Sequence, residues 1–306
     1  MGNLAVSYAE LNRPADALKL FEETLAIRKR VLPQDHPDTL TSMNNLATSY
    51  AALNRPADAL KLREETLAIM KRVLPPDHPS TLWSMNNLAA SYTDLNRHAD
   101  ALKLREETLA IQKRVLPKDH PSTLLSMNNL ANSYAALNRP ADALKLREET
   151  LAIQKRVLPP DHPDTLSSMN NLANSYAALN RPADALKLYE ETLEIRKRVL
   201  PKDHPDTLSS MNNLALSYAA LSRFADALKL FEETLEIQKR VLPKDHPDTL
   251  TSMTSLASSY EALNRPDDAH KLREETLAIQ KRVLPPDHPD TLSSMGNLAE
   301  IGRAHV

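Results

Sequence analysis

Seven histidines recur with a fixed chemistry around them. His36, His78, His120, His162, His204, His246 and His288 each follow an aspartate and precede a proline. In five of them a further aspartate, such as Asp38 or Asp164, follows the proline. Imidazoles and carboxylates bind metals and move protons. One imidazole with two carboxylates is nevertheless a poor ion site, and equivalents spaced by a helix-packing distance of about 8–10 Å cannot share an ion. These residues are expected to cap helices and stiffen connectors.

A second row is amidic. Asn45, Asn87, Asn129, Asn171 and Asn213 are spaced by 42 residues, each beside another asparagine, Asn44, Asn86, Asn128, Asn170 and Asn212. An amide offers two donors and an acceptor, so such a ladder can grip an extended peptide backbone whatever its side chains, or can bond the adjoining helix and register a stack. The Asn44 series leans towards the neighbouring helix. No glycine-rich phosphate loop, Gly-x-Ser-x-Gly elbow or His-Glu-x-x-His motif occurs, and with 3 glycines most such turns are impossible. The carboxylates repeat with the period, whereas an active site gathers unlike residues once. No catalytic residue, metal site or cofactor is expected, and the chain reads as not an enzyme.

The elements that position these residues follow from the same period. Leu53-Asn54-Arg55-Pro56 returns at 95, 137, 179, 221 and 263, with His98 and Phe224 replacing two of the prolines and Ser222 one asparagine. Such a period over a whole chain is the signature of a solenoid, whose units bury their apolar faces only by stacking. Within one unit a helix A over about 38–53 carries the stripe Leu40, Met43, Leu46, Ala47, Tyr50 and Leu53. A helix B over about 56–74 starts on Pro56, where the missing N–H costs nothing. It carries Leu62, Ile69 and Val73 on one side and Leu60, Leu67 and Leu74 on the other. Pro75 then stops it, because the residue before a proline avoids the helical region. The units run approximately 1–37, 38–79, 80–121, 122–163, 164–205, 206–247 and 248–289, with a closing half-repeat at 290–306, in a single array. Met1 is in register with Met43, so the array starts inside a helix A and reads as a segment of a longer one.

Opposite the apolar stripe, positions four, three and four apart present Thr41, Asn45, Thr48 and Ala52. The corresponding rows hold Trp83 and Asn87, then Leu125, Asn129 and Asn132, then Asn171 and Asn174, then Asn213 and Leu216. Trp83 points outward, where it anchors a partner or packs on the adjoining helix.

Length and charge agree with a water-soluble chain: 306 residues, 42% hydrophobic, with a formal charge of -2. That balance leaves nucleic acid and anionic membrane as poor partners. No apolar stretch approaches the roughly 20 residues of a membrane span and no signal peptide is recognisable. The absence of cysteine fits a reducing compartment, with cytoplasm the default.

The spacing of Leu46, Ala47, Tyr50, Ala59 and the aromatics Phe21, Tyr189 and Phe231 resembles the tetratricopeptide signature, stretched from 34 residues to 42. His-Pro-Asp-Thr-Leu followed by Met-Asn-Asn-Leu-Ala resembles the repeats of kinesin light chains and their bacterial relatives. The chain departs from the signature at Arg63, Arg105, Arg147 and Arg273, whose aliphatic stems are expected to cover the core in place of a ring. The resemblance implies an all-α, right-handed superhelical solenoid of antiparallel helix pairs. It also implies a concave groove lined by the A helices, in which Asn45, Trp83, Asn87, Leu125, Asn129, Asn132, Asn171, Asn174 and Asn213 hold a peptide or partner protein. Two alternatives are a structural array that self-associates end to end through uncapped terminal helices, and the sensor or oligomerisation part of a larger signalling protein.

Overall fold

The computed structural model describes residues 4–304 other than 6, 9, 10, 12, 244 and 286, with the backbone alone at 297 and 299–304. Met1, which sets the register of the first repeat, lies outside the described residues.

Fourteen helices have both ends described: α1 (Pro14–Val31), α2 (Pro37–Ala52), α3 (Pro56–Val73), α4 (Pro79–Asp94), α5 (His98–Val115), α6 (Pro121–Ala136), α7 (Pro140–Val157), α8 (Pro163–Ala178), α9 (Pro182–Val199), α10 (Pro205–Ala220), α11 (Phe224–Val241), α12 (Pro247–Ala262), α13 (Pro266–Val283) and α14 (Pro289–Ala304). Even-numbered helices are the A helices and odd-numbered ones the B helices. Among the described residues there is no strand. The helices fall into two compact units, Met1–Val157 and Leu158–Val306.

Each helix ends where its sequence dictates. Asn54 adopts φ 55°, the left-handed conformation that glycine usually supplies. Its N–H donates to the Ala51 carbonyl and that of Arg55 to the Tyr50 carbonyl, which together close the helix in a Schellman arrangement. In a chain nearly without glycine, asparagine takes this position because its short amide tolerates the left-handed region. Ser222 takes it once, at φ 58°.

The A helices start on the histidines. Nδ1 of His36, His78, His120, His162, His204, His246 and His288 accepts from the backbone N–H two residues on, at 3.1–3.3 Å. Each imidazole thus satisfies one of the donors that a helix start leaves open. Among the described residues no three His, Asp or Glu side chains come together as metal ligands do.

In the first unit, α1 to α7 pack chiefly on their sequence neighbours. Connections of only three or five residues turn each helix back on the last. Met43, Met85 and Met127 are fully buried, as are the small Ala47 of α2 and Ala59 of α3, two helices that pack on each other. Thr66 and Thr108 are equally buried and donate to the carbonyls of Leu62 and Leu104, so no hydroxyl is stranded there. The second unit repeats the plan with Met169, Met211, Met253 and Thr192, Thr234 and Thr276. The buried stripe of the A helices is wider than the apolar pattern: Thr39, Ser42 and Ser49 go in with the leucines. Val73, expected on a buried row, is 38% exposed at the end of its helix.

Within each unit, adjoining repeats are tied by a tyrosine near the end of an A helix, in α2, α4 and α6 of the first and in α10 and α12 of the second. Tyr50 donates to Glu22 at 3.0 Å, and the Arg55 guanidinium lies 4.4 Å over its ring while bonding Asp58 at 2.7 Å. The same assembly recurs at Tyr92, Tyr134, Tyr218 and Tyr260. Partial burial, reinforced by the glutamate, raises the pKa of each of these phenols, that of Tyr260 to about 12.

Candidate partner-binding face

The row opposite the apolar stripe faces outward in both units. In the first unit Thr41, Thr48, Trp83, Leu125, Asn132 and Ala136 are exposed, while Asn45, Asn87 and Asn129 are half-buried between them. Trp83 is 50% exposed and Leu125 59%, so neither is absorbed by the adjoining helix. In the second unit Ser167, Asn174, Ser209 and Leu216 are exposed, and Asn171 and Asn213 half-buried.

Hydrogen bonding divides the expected ladder. Asn45, Asn87 and Asn129, on α2, α4 and α6 of the first unit, make no side-chain hydrogen bond among the described residues, so each amide's donors and acceptor remain available. Asn213 instead donates to Asn170 at 3.0 Å, joining α10 to α8. This is the stack-registering role, and it uses one asparagine of each series. Asn86 similarly donates to Ser126 across α4 and α6 at 3.5 Å. Asn132 accepts from Arg147 at 2.8 Å and Asn174 from the Tyr189 hydroxyl. Both are held by the B helix of their own repeat.

The position that is aromatic in the first repeat, Phe21, carries features the sequence reading missed. Arg63 is buried, and its stem does not merely cover the core. Its guanidinium donates to the Asn87 carbonyl and to Ser91, at 3.0 and 2.5 Å. Arg105 donates to Ser133 and Arg273 to Glu261. Burial lowers the pKa of Arg63, Arg105 and Arg147, yet guanidinium remains charged at neutral pH. Where Tyr189 and Phe231 stand, cavities of about 260 and 230 Å³ open beside Leu216. Burial pushes the Tyr189 hydroxyl up to about 12. The signal was present as the Phe–Arg–Tyr alternation at one repeat position, but its meaning depends on contacts that link different repeats.

Comparison with known proteins gives the family. A family model described as tetratricopeptide repeat matches residues 1–72, 45–114, 80–156, 122–198, 183–240 and 206–282. A crystal structure of nearly identical TPR-like repeats of a kinesin light chain from Podosopora anserina is 35% identical. The match covers 67% of this chain and 97% of that one, with a TM-score of 0.61. BtubC (BKLC) from P. vanneervenii is 19% identical over 75% of this chain and 93% of its own, with a TM-score of 0.64. A signal-transduction ATPase with numerous domains from Pyrococcus horikoshii, which has a tetratricopeptide repeat sensor, is 15% identical over 92% of this chain and 42% of its own, with a TM-score of 0.69. These last two show likeness of fold alone. No curated protein matches the chain. With family matches running from residue 1 to residue 282, the chain belongs to the tetratricopeptide repeat family, and its repeats are of the kinesin-light-chain-like kind.

Proposed function

We propose that this chain is a protein-interaction scaffold, without catalytic activity, that holds an extended segment of a partner protein on the exposed face of α2, α4 and α6. The observation that carries this reading is the set of three unengaged amides, Asn45, Asn87 and Asn129, one per repeat, beside exposed Trp83 and Leu125. An extended chain rises about 3.3 Å per residue, so successive A helices about 8–10 Å apart meet it every three residues or so. A backbone amide of the segment can pair with each asparagine, while Trp83 supplies the large apolar contact that commonly dominates such interfaces. No helix among the described residues is long and apolar enough to cross a membrane. A cytoplasmic partner fits the cysteine-free composition.

Panning a peptide display library against the purified chain, and against Asn87→Ala with Asn129→Ala, tests the reading. A shared motif should be enriched by the parent chain. The double variant should bind it about ten- to a hundredfold more weakly, as the loss of two hydrogen bonds of about 0.5–1.5 kcal/mol each implies. Equal capture by a correctly folded variant would refute the placement.

A further inference from the structure

One B-helix position varies among the repeats as Arg28, Met70, Gln112, Gln154, Arg196, Gln238 and Gln280. Where it is arginine, the guanidinium sits in a fixed place. Arg196 donates to the Asp206 carbonyl at 2.8 Å and to Ser210 Oγ at 2.6 Å, and Arg28 makes the equivalent bonds to Asp38 and Ser42 at 2.7 and 2.6 Å. Where it is not arginine, this acceptor pair can lose its donor. Ser84, in the repeat after Met70, and Ser252, in the repeat after Gln238, are fully buried and their hydroxyls have no partner. The shorter glutamine does not take over, since no hydrogen bond joins Gln238 to Ser252.

The Gln238 repeat adds a cavity. A space of about 190 Å³ between α10, α11 and α12 is lined by Gln238, Asn212, His246 and Asp248 among others, with no lysine or arginine among the described residues. Gln238 is only 3% exposed, and its Oε1 and the Oδ1 of Asn212 are both buried without a partner. Such acceptors keep their full desolvation penalty until a donor reaches them. One repeat further on, a cavity of about 430 Å³ is lined by Gln280, Asp245, His288, Asp290 and Ser294, again with no lysine or arginine among the described residues, and Gln280 Oε1 is unpaired. Among the described residues the walls therefore offer carbonyls, carboxylates and one imidazole each, His246 and His288, whose Nδ1 is already taken in capping α12 and α14, and no lysine or arginine. In the repeat of Arg196 the guanidinium bonds the Asp206 carbonyl and Ser210, whose counterparts Asp290 and Ser294 both line the larger cavity.

We propose that the Gln238 and Gln280 cavities of the second unit are receptor sites for arginine side chains of a partner protein, one per repeat. A planar, always-charged group with five donors matches several acceptors in one pocket better than a compact ammonium does. The Asp248 and Asp290 carboxylates supply the charge complementarity. This site is distinct from the asparagine row of the first unit and does not depend on it.

The probe is N-acetyl-arginine amide, titrated into the full chain and followed by NMR, beside its neutral isostere N-acetyl-citrulline amide and N-acetyl-lysine amide. The arginine probe is expected to bind about tenfold more tightly than either. Gln238→Arg with Gln280→Arg should supply the guanidinium from within, abolishing probe binding and raising the melting temperature. Should that pair fail to fold, Gln238→Met with Gln280→Met, which copies the chain's own Met70, is expected to weaken the probe about tenfold. Equal binding of citrulline or lysine amide, or arginine binding unchanged in a folded variant, overturns the assignment. Neither result bears on peptide capture by Asn87 and Asn129.

Discussion

At the scale of single residues, this chain replaces glycine with asparagine and the usual capping hydroxyl with histidine. Both choices have measurable weight. Ser222 is the one described position where serine holds the left-handed conformation that asparagine holds elsewhere, at φ 58°. Ser222→Gly should relieve that strain and stabilise the fold by about 0.5–1 kcal/mol in denaturant unfolding. His120→Ala removes a cap and should cost about 0.5–2 kcal/mol, whereas His120→Asn should recover most of it. Tyr189 gives a test in pH. Burial holds its phenol at about 12, above the ordinary value of 10.0, so the folded state keeps the proton more tightly than the unfolded one. The stability this contributes is fully present below pH 10 and is lost as pH rises from 10 towards 12. The loss is of order 2–3 kcal/mol by linkage. Tyr189→Phe, which copies Phe21 and Phe231, should flatten that part of the stability–pH curve. An unchanged slope would mean that the other tyrosines account for it.

At the scale of the helix, most of the structure was legible. Proline at the first helical position and the Asn-Arg turn placed both helices of each repeat to within a residue, because these are local backbone constraints. The outward row was legible too, since helical geometry alone puts Trp83 and Asn87 on one face. What could not be read was which amides are already spent. Asn213 is engaged by Asn170, 43 residues away, and Asn174 by Tyr189, on the next helix, and neither bond follows from the periodicity of one helix. The arginines misled for the same reason: whether a guanidinium turns inward depends on Ser91 and Ser133 in the following repeat. Between B helices, lysine reaches a glutamate 36 residues on, as in Lys71–Glu107 at 2.8 Å and Lys239–Glu275 at 2.9 Å. These pairs are exposed and screened, so each should contribute about 0–1 kcal/mol. Raising salt from about 0.05 to about 1 M should therefore lower the melting temperature by no more than a few degrees. A larger fall would show that the outer ladder, and not the buried methionine and alanine stripe, holds the repeats together.

At the scale of the whole molecule, near-identical repeats yield surfaces that are not identical. In the first unit Arg63, Arg105 and Arg147 occupy the aromatic position, and the asparagines Asn45, Asn87 and Asn129 remain unengaged beside Trp83 and Leu125. In the second unit Tyr189 and Phe231 leave cavities next to Leu216, Asn213 is committed to the stack, and Gln238 and Gln280 each line a cavity with a buried, unpaired carbonyl. On the proposed reading, the partner specificity of this chain resides in a few departures from its own repeat. The most direct test of the central claim uses Trp83, the single tryptophan, as the reporter of its own face. A peptide selected by display is titrated into the chain while Trp83 emission is followed. A saturable blue shift that disappears in the folded Asn87→Ala, Asn129→Ala variant is the result this account requires; tight peptide binding that leaves Trp83 emission unchanged in the parent chain would place the partner elsewhere and contradict it.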